Sequence, residues 1–116
     1  MALKTNDQYL LAVAQLALAE ATLDSNGARD ALKMALQTQQ SFERVGQTDS
    51  EWRAWLIAAR ASQRLGERAA VHEYAVNANK RLRSLEDRWG REAYNGYLTR
   101  QDIQRSLKEL EPLLNP

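Results

Sequence analysis

The sequence predicts an all-α fold: a stack of antiparallel helical hairpins closed by a C-terminal capping helix. Three observations carry that expectation. The 116 residues include only two prolines and five glycines, amid abundant Ala, Leu, Gln, Glu and Arg, a composition that favours helix. No segment shows the sustained period-two alternation of Val, Ile and Thr that marks a strand. Apolar residues instead recur three or four apart in successive segments separated by glycine-bearing turns. At this length one domain with a single core is expected.

The first helix should begin after Thr5 or Asn6 and run to about Leu23. It is apolar around most of its circumference, so either the last helix or another molecule must cover part of it. Asp24-Ser25-Asn26-Gly27 reads as a turn, with Ser25 or Asn26 able to cap the next helix. A second helix over about Ala28–Val45 presents Ala31, Leu32, Ala35, Thr38, Phe42 and Val45 on one face and ends at Gly46. Thr48, Asp49 and Ser50 then offer oxygens for the start of a third helix. Its face is Trp52, Trp55, Ala58, Ala59, Ser62 and Leu65, and Gly66 ends it because glycine accepts the left-handed conformation.

A fourth, long helix from about Glu67 to Arg88 carries Val71, Tyr74, Ala75, Ala78, Leu82 and Leu85, with Trp89-Gly90 closing it. Beyond it we expect a helical turn over Glu92–Tyr97 and a last helix from about Gln101 to Leu110. Thr99 and Asp102 resemble a capping box, and Pro112 should stop the helix. Ile103, Leu107, Leu110 and Leu114 form a narrow stripe suited to covering the end of the stack, with Trp89 and Tyr94 locking the tail. The organisation is hairpin one at about 6–45, hairpin two at about 50–89 and a capping tail at about 90–114.

The two hairpins align at a constant offset of 40 residues. Ala19 falls on Ala59, Thr22 on Ser62, Asn26 on Gly66, Ala31 on Val71, Ala35 on Ala75, Thr38 on Ala78 and Phe42 on Leu82. Small residues meet small, turn meets turn and large apolar meets large, as in an α-solenoid.

On these residues the chain resembles the tetratricopeptide repeats. Trp55, Ala59, Ser62, Gly66, Val71, Ala75 and Ala78 stand at that family's aromatic, small and turn positions. The first hairpin matches more weakly, the period exceeds the usual 34, and no proline closes either repeat. The tail Trp89–Leu107 looks like the segment that follows such repeats in bacterial regulatory proteins. The resemblance implies a tetratricopeptide-like solenoid acting as a protein-interaction scaffold, often within a larger signalling protein. Two repeats fall below the three usual for a stable solenoid, which points to a fragment or a dimer.

In that register the first helix of each hairpin lines a concave surface. Arg53, Leu56, Arg60, Gln63 and Arg64 are therefore the candidate partner-binding residues. Three guanidiniums in a row suit the carboxylates of an acidic peptide; alternatively they pair within the fold, for example with Glu67 or Asp24. The matching positions on the first helix are Val13, Leu16, Glu20, Leu23 and Asp24. Charge is uneven too: residues 53–100 hold ten Lys/Arg against five Asp/Glu, and the rest six against ten.

Other classes find no residues. The lone His72 and the lack of cysteine leave no usual zinc site and no disulfide, no triad or phosphate loop is placed, and no cofactor is expected. The run Tyr9–Ala19 is too short to span a bilayer and lacks a basic leader. No basic-aromatic platform suggests nucleic acid. The expectation is a cytoplasmic, non-enzymatic interaction module for a protein or peptide, with a homodimer through the first helix or a purely structural helical domain as the alternative.

Overall fold

The computed structural model describes residues 5–115. Six helices follow in order: α1 (Thr5–Asp24), α2 (Ala28–Val45), α3 (Thr48–Arg64), α4 (Arg68–Trp89), α5 (Arg91–Leu98) and α6 (Gln101–Leu114). Among the described residues there is no strand. Successive helices α1 to α4 pack on one another, α3 is also flanked by α1 and α6, and α5 and α6 lie against α4. The all-α expectation holds.

The offset of 40 is visible in the backbone. Asn26 and Gly66 both take positive φ, 71° and 75°. The amides of Gly27 and Glu67 both reach back to a carbonyl five residues earlier, Thr22 at 2.8 Å and Ser62 at 3.0 Å, the six-residue closure of a helix C-terminus. One difference between these turns has a steric cause. A Cβ on Gly27 would stand 2.6 Å from the Thr22 methyl carbon. The second hairpin has Ser62 there, with no methyl, and Glu67 takes the place of Gly27.

Three apolar clusters make the core. Ala12, Phe42 and Ala54 join α1, α2 and α3 at one end. Ala19, Leu23, Ala31, Ala35, Ile57, Ala58 and Ala61 continue that three-helix contact. Trp52, Leu56, Ala59, Ala75, Ala78, Leu82 and Leu85 then meet Ile103, Leu110 and Leu113 of α6. Small residues at the crossings let the helix axes approach closely. Trp52 is fully buried; Trp55 is half-buried and stacks on Tyr74 at 5.6 Å.

Glu51 is a buried carboxylate, 2% exposed, inside this apolar frame. Its Oε2 accepts from Gln39 Nε2 at 2.9 Å and Trp55 Nε1 at 3.1 Å, and pairs with Arg81 Nε at 3.2 Å. Donors from α2, α3 and α4 thus converge on one oxygen, which is what a buried charge requires.

Several helix ends differ from the sequence reading. The caps expected at Ser25 or Asn26 and at Thr48–Ser50 do not form. Gly27 and Gln47 precede α2 and α3 without side-chain caps. Ser25 Oγ instead donates to the Ala21 carbonyl at 2.7 Å, and Thr48 Oγ1 accepts from Arg88 Nη1 at 2.6 Å. The Thr99–Asp102 box is absent as well: Thr99 Oγ1 donates to the Gly96 carbonyl, and Asp102 chelates Arg100 at 2.7 and 3.1 Å. The role read for Thr5 or Asn6 falls on side chains outside those described. The turn expected at Glu92–Tyr97 is a full eight-residue helix.

Pro112 does not stop α6, which continues to Leu114. An interior proline costs about 3 kcal/mol, but this one sits in the last turn, where the lost bond is near a fraying end. Continuing the helix buries Leu113 to 4% exposure and brings Leu114 against the core, each such side chain contributing about 1.5–3 kcal/mol when fully buried.

The tail is held by aromatics. Tyr97 Oη accepts from Trp52 Nε1 at 2.9 Å and donates to the Asp49 carbonyl at 3.3 Å. Trp89 meets Tyr97 edge-on at 5.1 Å, and Tyr94 packs against the core. Burial pushes the Tyr97 phenol above its ordinary value of 10.0. The raised value favours the neutral folded form, so its stabilising share is full below pH 10.0 and disappears as pH rises through the raised folded value.

Three outcomes test this packing. Glu51→Ala strips Trp55 Nε1 of its acceptor and Arg81 of its partner, while Gln39 keeps Glu43 at 2.6 Å, and should destabilise by about 2 kcal/mol; urea midpoints measure it, and a loss under about 1 kcal/mol would contradict the network. Gly27→Ala should destabilise the native chain and cost less in a Thr22→Ser background, where the methyl contact is gone and only the Thr22 carbonyl oxygen, 3.0 Å from the new Cβ, remains close. Tyr97→Phe should cost about 1 kcal/mol at neutral pH and flatten the alkaline limb of the stability profile.

Candidate functional site

The candidate arginines lie along α3, flanked by α1 on one side and α6 on the other. Arg53 Nη1 stands 3.8 Å from Asp102, and Arg60 Nη2 stands 3.1 Å from Glu109. Both pairs span 49 residues, so α3 and α6 run parallel in fixed register. Arg60 also reaches Glu20 at 3.9 Å and Asp24 at 3.5 Å on α1. One guanidinium therefore straps α1, α3 and α6 together. Its side chain is only 17% exposed, against 30–61% for the three carboxylates. Three acids around one cation leave this end of the surface locally acidic, not basic.

Arg64 Nη1 donates to the Leu23 carbonyl and so caps the free end of α1. Leu56 is 3% exposed and belongs to the core. Gln63 is exposed and borders an open depression of about 720 Å³ shared with Val71, His72, Pro112 and Leu113. The five residues thus do different things: two arginines pair across helices, one caps, the leucine packs and the glutamine faces outward. The within-fold pairing weighed for Asp24 is present. Arg53 and Leu56 do meet Val13, Leu16 and Glu20 at a cleft between α1 and α3, with Ser106 at its edge, but its volume is about 170 Å³. A helix with side chains is about 10 Å across, so it could enter only if α1 and α6 parted.

The least covered apolar surface lies elsewhere, on the outer side of α1. Leu10, Leu11, Val13 and Leu18 are 57%, 48%, 38% and 56% exposed. Between them stand Ala14, Ala17 and Ala21, all exposed, and Gln8–Ala19 contains no charge. Under the 40-residue offset, Ala14, Ala17, Leu18 and Ala21 correspond to Ala54, Ile57, Ala58 and Ala61 of α3. Those four are 0–3% exposed and sit in the clusters shared with α1 and α2. The bare face of α1 is thus the counterpart of the α3 face that docks on a preceding hairpin. The sequence signalled this by a helix apolar on all sides; α6 does not cover it, because α6 lies along α3 and α4.

Among the described residues no helix is long and apolar enough to cross a membrane, and no group of three or more His, Cys, Asp or Glu could hold a metal ion. Comparison with family models, with curated proteins and with solved structures returns no match.

Removing the Arg60 strap should loosen α1 and α6. Arg60→Ala is expected to cost about 1 kcal/mol at low salt, the upper range for ion pairs whose carboxylates reach solvent. Added salt should recover part of the loss, since the remaining acids repel within a screening length of about 10 Å at 0.1 M. Thermal melts across ionic strength would show it, and a salt-independent or absent loss would contradict the strap.

Proposed function

We propose that this chain is a protein-interaction module whose contact surface is the outer face of α1. The observation that carries the reading is the equivalence just described: a surface of helix-docking composition, buried where it recurs on α3 and bare on α1. Scattered single leucines are ordinary on any surface. A continuous uncharged face on one helix is the kind of patch that marks an interaction site. The arginine stripe is the weaker candidate, because a carboxylate ligand at Arg60 would have to displace Glu20, Asp24 and Glu109. The reading agrees with the interaction scaffold implied by the tetratricopeptide resemblance.

Photo-crosslinking in the cells that produce the chain tests this directly. A benzoylphenylalanine at Leu18 should yield a protein adduct, whether with another protein or a second copy, whereas one at Gln63 should not. An adduct from Gln63 alone would move the contact to the far end of α3, and no adduct from either position would overturn the interaction reading.

A further inference from the structure

We propose that the outer face of α1 pairs with the same face of a second copy of this chain, antiparallel across a two-fold axis, each leucine seated on an alanine. The inference rests on reading the α1 face as the contact surface, and it names the occupant.

The argument begins with four residues. Leu11, Ala14, Leu18 and Ala21 follow one another at steps of three, four and three on the exposed side of α1, the spacing of a coiled-coil seam. Their order is large, small, large, small, with the leucines 48% and 56% exposed. An isologous interface requires a surface complementary to itself. Read backwards, this order becomes small, large, small, large. An antiparallel alignment therefore sets Leu11 on Ala21 of the partner subunit and Leu18 on Ala14 of the partner subunit, and the same contacts recur across the axis. A parallel alignment would instead oppose leucine to leucine and alanine to alanine, layers that require unequal helix separations.

Charge favours the same arrangement. In the antiparallel register Asp7 lies opposite Ser25 of the partner subunit, and Asp24 opposite Gln8 of the partner subunit. Parallel helices would bring Asp7, one turn before Leu11 on the same face, against its own like-charged copy, which is repulsive.

The C-terminal end of the chain does not offer an alternative seat for α1. Head-to-tail stacking would need a bare α4, but Leu82 and Leu85 are covered by Ile103, Leu110 and Leu113 of α6, with Tyr94 and Leu98 of α5 beside them. Two N-terminal ends meeting close the assembly at two copies. A single helix face is smaller than the roughly 800 Å² per partner of a standard interface, so the expected dimer is concentration-dependent, with a micromolar dissociation constant.

Sedimentation equilibrium of the intact chain, from about 1 to about 500 µM, brackets such a constant. The native chain should pass from monomer to dimer and not beyond. Leu18→Ala should weaken association about tenfold or more, since the lost leucine contact occurs twice. Ala14→Leu should weaken it comparably by opposing two leucines. The double variant Ala14→Leu/Leu18→Ala exchanges knob and hole, and should return to within about threefold of the native constant. Both side chains are exposed in the single copy, so dilute circular-dichroism melts should stay native-like in all three variants. A native chain that remains monomeric, an Ala14→Leu chain that associates more strongly, or a double variant as weak as the singles would each overturn the proposal. A monomeric chain that still gives a Leu18 adduct with another protein overturns the second copy alone. A monomeric chain without any adduct overturns the contact-surface reading with it.

Discussion

One buried oxygen fixes the middle of this molecule. Glu51 Oε2 is approached by Gln39 of α2, Trp55 of α3 and Arg81 of α4, and the carboxylate has almost no contact with water. An ion taken out of water loses several kcal/mol of solvation, so the fold holds it only where all three helices present donors together. Apolar contacts tolerate small slips of one helix past another; directional bonds to a charge do not. The registers of α2 and α4 against α3 are set at the same point, and the faces offered by α1 and α6 follow from them.

From that point outward the two ends of the stack diverge. Beyond α4 the chain supplies its own cover, a short helix and then α6 laid parallel to α3, with Arg53 and Arg60 meeting Asp102 and Glu109. Beyond α1 the described residues supply none. The arginine row, which in isolation suggests a binding surface, serves largely to close the covered end and to tie α1 alongside it. Under the interaction reading proposed above, recognition falls to an apolar face, where the geometry of leucine and alanine takes the place of charge in selecting a partner.

Helix periodicity, the 40-residue recurrence and the glycine turns were legible in the sequence because they depend on local spacing and backbone conformation. The bare side of α1 was foreshadowed by its uniform apolarity. What was not legible depended on where side chains end up after packing. Thr48, Ser25 and Thr99 have the chemistry of caps, yet each finds a different partner once Arg88 or a preceding carbonyl comes within reach. Glu51 resembled an ordinary acid in a first helical turn; nothing local announces that Gln39 and Arg81 will converge on it. For Arg60 the sequence leaves open a ligand-facing role or pairing with Asp24, because the carboxylates that neutralise it lie 36 to 49 residues away. Pro112 stops a helix only when continuing it has no reward, and that reward belongs to the tertiary packing of Leu113.

The aromatic residues also divide the molecule optically. Trp52, Trp55 and Trp89 all lie in α3 and α4, while α1 and α2 carry only Tyr9 and Phe42, edge to face at 6.2 Å. Indole emission therefore observes the second hairpin and its tail, and is nearly blind to the first. Far-ultraviolet ellipticity weighs every helix alike. Stacked hairpins joined mainly through neighbours need not melt as one unit, so a gap between the two signals would time the departure of α1 and α2 from a core that is still intact.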